Sequence, residues 1–255
     1  MVASFYPIAW AAQQVGGARV AVTNLTPAGA EPHDLELDPD QIDHVLDAAV
    51  VFELGHGFQP AVEQAAGQRD GPTVQLLPGH TKDPHVWLDP VRMATIVRSV
   101  QRGLTQVDPK GRTTYAANAR RVLGELRVLD GKYRDGLAHC ERDVIVTGHE
   151  AFGHLAARYG LRQEGVAGLS PDAEPDAKRI SQLTDLVKRT GTTTIFTEAL
   201  VSPRIAETLA REAGVKTEIL NPLEGLTDRE LRRGDGYVGV MESNLTKLRA
   251  ALACS

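Results

Sequence analysis

At 255 residues with 42% hydrophobic content, the chain can bury a substantial core as one large or two smaller domains, with no need of staples. A net charge of -5 and an isoelectric point near 5.9, without a cluster of lysine and arginine, count against nucleic acid as a partner. No apolar run approaches the roughly 20 residues that a membrane helix needs.

The segment Met1-Val2-Ala3-Ser4-Phe5-Tyr6-Pro7 already reads as a first strand and turn, so any targeting segment is expected to lie outside this sequence. Strands are predicted near residues 2–6, 19–25, 49–53 and 72–76, with helical patterns between them. One of those helices should start at Asp38-Pro39-Asp40-Gln41. The alternation resumes with strands at 144–147, 162–167, 193–197 and 216–219. Such alternation implies mostly parallel sheets covered on both faces. Between the two runs, Tyr115, Ala119, Val122, Leu123, Leu126, Leu129, Tyr133 and Leu137 repeat at steps of three and four. Capped by Thr113 or Thr114, this pattern predicts one long helix reaching His139, with no glycine- or proline-rich linker that would act as a hinge. The predicted architecture is therefore α/β: an N-terminal lobe over 1–110, a rigid bridging helix over 111–139 and a C-terminal lobe over 140–255.

Three histidines sit where an extended segment hands over to a helix. His33 lies in Glu31-Pro32-His33-Asp34, after the apolar run 20–25. His85 lies in Asp83-Pro84-His85-Val86-Trp87-Leu88-Asp89-Pro90, where two prolines prevent regular helix and predict a stiff, extended loop. His149 follows the strand Val144-Ile145-Val146-Thr147 and Gly148, and precedes a helical pattern from Ala151 to Tyr159. Strand ends border the ligand crevice of an α/β sheet, so side chains far apart in sequence can converge there. Together the three rings read as a metal site, although any one of them alone would more often be a surface or hydrogen-bonded histidine.

The remaining histidines show the contrast. His44 falls on the polar side of a predicted helix, His56 and His80 lie in glycine-containing loops, and His139 stands at a helix end. His149-Glu150-Ala151-Phe152-Gly153-His154 looks like a zinc protease motif, but that motif needs its second histidine at i+4, where Gly153 stands. At i+5 the His154 ring points away from the first.

Taken in order, these motifs resemble those of the metal-specific solute-binding proteins of bacterial ABC importers, most similar to the high-affinity zinc uptake type, the ZnuA group. Gly168-Leu169-Ser170-Pro171 with Glu174-Pro175, and Leu220-Asn221-Pro222-Leu223-Glu224-Gly225-Leu226, extend the resemblance over essentially the whole chain. It implies two α/β lobes joined by one long helix. It also implies that His33, His85 and His149 are imidazole ligands, with Glu224 as the carboxylate. In related manganese importers the position of His149 holds a carboxylate, so histidine here favours zinc. Three imidazoles and one carboxylate suit Zn2+, whereas Mn2+ prefers more oxygen donors. Glu31 is an alternative carboxylate or a solvated loop acid, and Glu198 is a candidate to orient a ligating ring.

Two departures from the family stand out. Zinc members commonly carry a long histidine- and acid-rich loop before the second histidine motif, and here only Gly79-His80-Thr81-Lys82 remains. His154 replaces a frequent aromatic residue. The resemblance also favours a Cys140–Cys254 disulfide over two free thiols.

The implied function is capture of extracytoplasmic Zn2+, in the periplasm or at the cell surface through a lipid anchor, and its delivery to a membrane-embedded ABC permease by a monomer. Because neutral imidazoles bind metal, protonation near the reference pKa of about 6.5 should weaken affinity. The rival readings are a zinc-dependent hydrolase, which needs an open coordination position that Glu224 would fill, and a surface adhesin on the same fold.

Overall fold

The computed structural model describes residues 1–77, 82–172 and 175–255. His80, most of the short 79–82 segment and Glu174 of the Glu174-Pro175 motif lie outside the described residues. The chain divides into two compact units: residues 1–128 with 223–237, and residues 129–222 with 238–255.

The first unit is built on a parallel sheet of β1 (Val2–Ala3), β2 (Thr23–Asn24), β3 (Val51–Glu53) and β4 (Thr73–Gln75), in the order β2-β1-β3-β4. Around it lie α1 (Tyr6–Gly16), α2 (Pro39–Asp47), α3 (Pro60–Ala66) and α4 (Pro90–Val107). Alternation along β3 assigns its faces. Val51 joins Val2, Val45 of α2 and Val62 of α3 in one core. Phe52 points the other way, towards α4, where a β-carbon on Gly103 would stand 2.7 Å from its ring. With both faces covered, the central strands β1 and β3 are buried at every position, whereas the edge strands β2 and β4 carry polar, partly exposed residues.

The predicted first strand is cut short because Tyr6 and Pro7 open α1, where a proline's fixed φ suits the first turn. The predicted second strand shrinks to its two paired residues. Helix α2 starts where Asp38 and Gln41 form a reciprocal capping box, at the predicted position.

The second unit repeats the plan with β5 (Val144–Thr147), β6 (Arg162–Gly165), β7 (Thr194–Thr197) and β8 (Lys216–Ile219), all parallel, in the order β6-β5-β7-β8. The long helix α5 (Arg112–Gly136) belongs to the first unit up to Val128 and to the second from Leu129. Next come α6 (Gly153–Arg158), α7 (Ala177–Thr190) and α8 (Arg204–Ala213), then α9 (Asp228–Arg233) on the segment that returns to the first unit, and α10 (Tyr237–Leu252). Val144, Val146 and Ile195 of the strands pack with Leu183 and Val187 of α7 and Leu209 of α8.

The apolar stripe of α5 is buried as its period requires. In the first unit Asn118 donates to the Val15 carbonyl, and in the second the fully buried Tyr133 hydroxyl donates to the Met241 carbonyl. Cys140 and Cys254 form the disulfide, closing residues 114 apart in sequence. Among the described residues no helix is long and apolar enough to cross a membrane.

In both units the strand order reverses beside the first strand, between β1 and β3 and between β5 and β7. Chains diverging from such a switch point leave a crevice beyond the carboxyl ends of the strands. His149 directly follows β5 with one residue between, and Glu198 is the first residue after β7.

Candidate metal centre

In the first unit, the turn that carries His33 is tied to the returning 223–237 segment by a bond from Gly29 N–H to the Leu226 carbonyl, 3.0 Å. That tie places Glu224 beside His33, 191 residues away in sequence. Glu224 Oε1 lies 3.3 Å from His33 Nε2 and 3.2 Å from His85 Nε2. The rings of His33 and His85 are 5.5 Å apart between centroids.

These spacings suit hydrogen bonds and shared coordination of one cation alike. With zinc bonds of about 2.0–2.1 Å, neighbouring corners of a coordination tetrahedron stand about 3.3 Å apart. The Glu224 side chain is 1% exposed and His85 is fully buried, so a carboxylate has been taken out of water and set against two ring nitrogens. Burying a charge is costly unless it is paired or coordinates a cation. Glu31, the alternative carboxylate, accepts the His33 backbone N–H at 2.9 Å and approaches His33 Nε2 only to 3.9 Å, with 19% side-chain exposure.

The wall behind these donors is aromatic. His33 meets the edge of Phe58 at 4.7 Å, Phe58 and Trp87 each pack against Phe5, and His85 lies 5.2 Å from Trp87. His85 sits at the start of a 3-10 turn, Val86–Leu88, where the two prolines had suggested an extended loop. The prolines do forbid α-helix, but they still permit a single tight turn between them. Asp83 Oδ1 accepts the His85 backbone N–H at 3.0 Å and lies 2.8 Å from the ring Nδ1.

In the second unit His149 is fully buried and held at three points. Its backbone N–H donates to Glu198 Oε1 at 2.8 Å, and its Nδ1 lies 2.6 Å from Glu198 Oε2. Its carbonyl accepts from Thr147 Oγ1 at 2.6 Å and from Gln163 Nε2 at 2.9 Å. Glu198 thus contacts a candidate ligand in the way expected of an orienting residue. His154 lies half-buried on α6, and His44, His56 and His139 are exposed.

Sequence reasoning passed over Asp83, Thr147 and Gln163. Asp83 had a usable signal, since an aspartate two residues before a histidine can turn back on its backbone N–H. Gln163 had none, because its role depends on β6 pairing beside β5.

A family model described as zinc-uptake complex component A, periplasmic, matches residues 1–251, and the chain belongs to that family. It is 36% identical over 274 residues to a zinc-binding lipoprotein, AdcA, of Streptococcus pneumoniae, covering 98% of this chain and 55% of that protein. It is 34% identical over 277 residues to the high-affinity zinc uptake system protein ZnuA of Bacillus subtilis, covering 99% of this chain and 87% of the relative. The chain therefore spans about half the length of the AdcA relative and most of the ZnuA one. The crystal structure of the Zn(II)-bound ZnuA-like domain of Streptococcus pneumoniae AdcA matches with a TM-score of 0.84 and 36% identity, over 98% of this chain and 97% of that one.

Proposed function

We propose that this chain is the zinc-capturing component of an ABC importer, holding one Zn2+ through His33, His85, His149 and Glu224 and handing it to a membrane permease. The observation that carries the reading is the buried Glu224 oxygen at 3.2 and 3.3 Å from two imidazole Nε2 atoms. Three neutral imidazoles and one carboxylate form a donor set suited to zinc. His149 is the third imidazole of this proposal, its ring held at Nδ1 by Glu198.

The family resemblance and the names of the zinc-binding relatives support the same cargo and a location outside the cytoplasm. The protein acts as a single copy and not as an enzyme. A catalytic zinc keeps a coordination position open for water, and in the proposed ligand set Glu224 fills it.

Calorimetric zinc titration of the wild type and of His33→Ala, His85→Ala, His149→Ala and Glu224→Ala tests the assignment. One zinc per chain with nanomolar or tighter affinity, weakened in every variant, is the expected result. A variant that binds as tightly as wild type removes its residue from the ligand set, and peptidase or esterase turnover by the zinc-loaded protein replaces transport with hydrolysis.

A further inference from the structure

We propose that Asp83 and Glu198 are positioning residues that hold the His85 and His149 rings as the Nδ1–H tautomer, so that Nε2 of each faces the metal. The proposal rests on the zinc reading for its purpose, though not for its geometry.

A neutral imidazole carries one proton on one of two nitrogens, and only the bare nitrogen can bind a cation. In water the proton prefers Nε2, the atom that must here stay bare. An ionised carboxylate only accepts hydrogen bonds, so a carboxylate oxygen against Nδ1 draws the proton there. Asp83 Oδ1 lies 2.8 Å from His85 Nδ1, and Glu198 Oε2 lies 2.6 Å from His149 Nδ1. Both rings are 0% exposed, so solvent cannot take the place of either acceptor.

Each carboxylate also accepts the backbone N–H of the histidine whose ring it holds, at 3.0 Å for His85 and 2.8 Å for His149. Backbone, ring and carboxylate then close one cycle, which fixes the ring's rotation as well as its proton. The same double contact is reached by two routes. Asp83 comes from two residues upstream on the same turn, whereas Glu198 comes from the end of the neighbouring strand, 49 residues away. A by-product of local backbone geometry would not recur across such different separations. Because Asp83 is 22% exposed and Glu198 2%, the Glu198 contact is the better shielded and its loss should matter more.

Long-range proton–nitrogen NMR of the metal-free protein at about pH 9, where ordinary imidazoles are neutral, reads the tautomer of each ring directly. The expected result is Nδ1–H at both His85 and His149. Asp83→Ala and Glu198→Ala should each move the proton of the ring concerned to Nε2 and weaken zinc binding by about 10- to 100-fold. Asp83→Asn keeps the single oxygen that meets both the backbone N–H and the ring of His85, and should restore Nδ1–H there, which a merely structural role would not require. A proton on Nε2 of either wild-type ring overturns the proposal without any variant, as does an alanine variant that keeps both tautomer and affinity. Should the rings be Nδ1–H while no zinc binds, the importer reading fails and the positioning role stands. Zinc bound through all three histidines, with Nε2–H in the metal-free rings, overturns the positioning role and leaves the importer reading in place.

Discussion

A β-carbon placed on Gly148 would stand 2.5 Å from Glu198 Oε1, the atom that accepts the His149 backbone N–H. Glycine is therefore required here by the approach of the carboxylate. Glu198 cannot retreat easily, since its side chain is buried and bound to His149 at both oxygens.

Gly148→Ala should accordingly cost about 1–3 kcal/mol of stability through overpacking and should also weaken zinc binding, because Glu198 must swing off His149 to admit the methyl group. Denaturant unfolding of the metal-free protein and zinc calorimetry check the two effects. A variant within about 0.5 kcal/mol of wild type, with unchanged affinity, contradicts the close approach.

Zinc should stabilise the folded chain by mass action. At free zinc 100 times the dissociation constant, the gain is about 2.7 kcal/mol, and it disappears on chelation. Glu224→Gln keeps the shape of the side chain but removes the anionic oxygen set against His33 and His85. If affinity falls tenfold, the gain at the same zinc concentration drops to about 1.4 kcal/mol. Thermal melts of both proteins with zinc and with chelator measure the difference. Equal zinc-dependent shifts would remove Glu224 from the proposed ligand set.

What the sequence disclosed follows the range of the forces involved. The strands around Val51 and Val144, and the period of Tyr115 to Leu137, are local patterns, so fold class and the long helix could be read without coordinates. The capping box at Asp38 and Gln41 is equally local. His33, His85 and Glu224 were candidates because they carried motifs, but their spacing depends on a segment that returns to the first unit after residue 222. The Gln163 contact with the His149 carbonyl depends on strand order, and no residue-by-residue pattern encodes that order. The short turn after His85 escapes a sequence reading because the prolines announce only which conformation is forbidden.

Glu53 carries a buried carboxyl at the end of β3, 3% exposed, with Oε1 accepting from Gln75 Nε2 at 3.2 Å and Oε2 without a hydrogen-bond partner among the described residues. Burial pushes its pKa above the ordinary 4.5. The sign follows directly. As pH rises past that value the unfolded chain gives up the proton first, so stability falls until the folded carboxyl ionises as well. Glu53→Gln keeps an acceptor for Gln75 and removes the ionisation. It should raise stability by about 1 kcal/mol at neutral pH, with the advantage fading below pH 4.5. Denaturant midpoints of both proteins across the acid range test this, and an advantage that grows as pH falls refutes it.

The Cys140–Cys254 bond joins the segment after α5 to the segment after α10, enclosing most of the second unit. Neighbouring backbone bonds, Arg142 N–H to the Leu252 carbonyl at 3.2 Å and Ser255 N–H to the His139 carbonyl at 3.0 Å, hold the same two segments together in the folded state. The disulfide should therefore act mainly on the unfolded chain, whose freedom it restricts across a separation of 114 residues. For a loop of that size the chain-entropy argument gives about 4–5 kcal/mol, an upper figure because residual structure in the unfolded chain lowers it. Replacing both cysteines by serine should lower the denaturant midpoint substantially, and reductant should do the same to the wild type but leave the double variant unaffected. A loss below about 1 kcal/mol would show that the backbone bonds alone already set the stability of this corner.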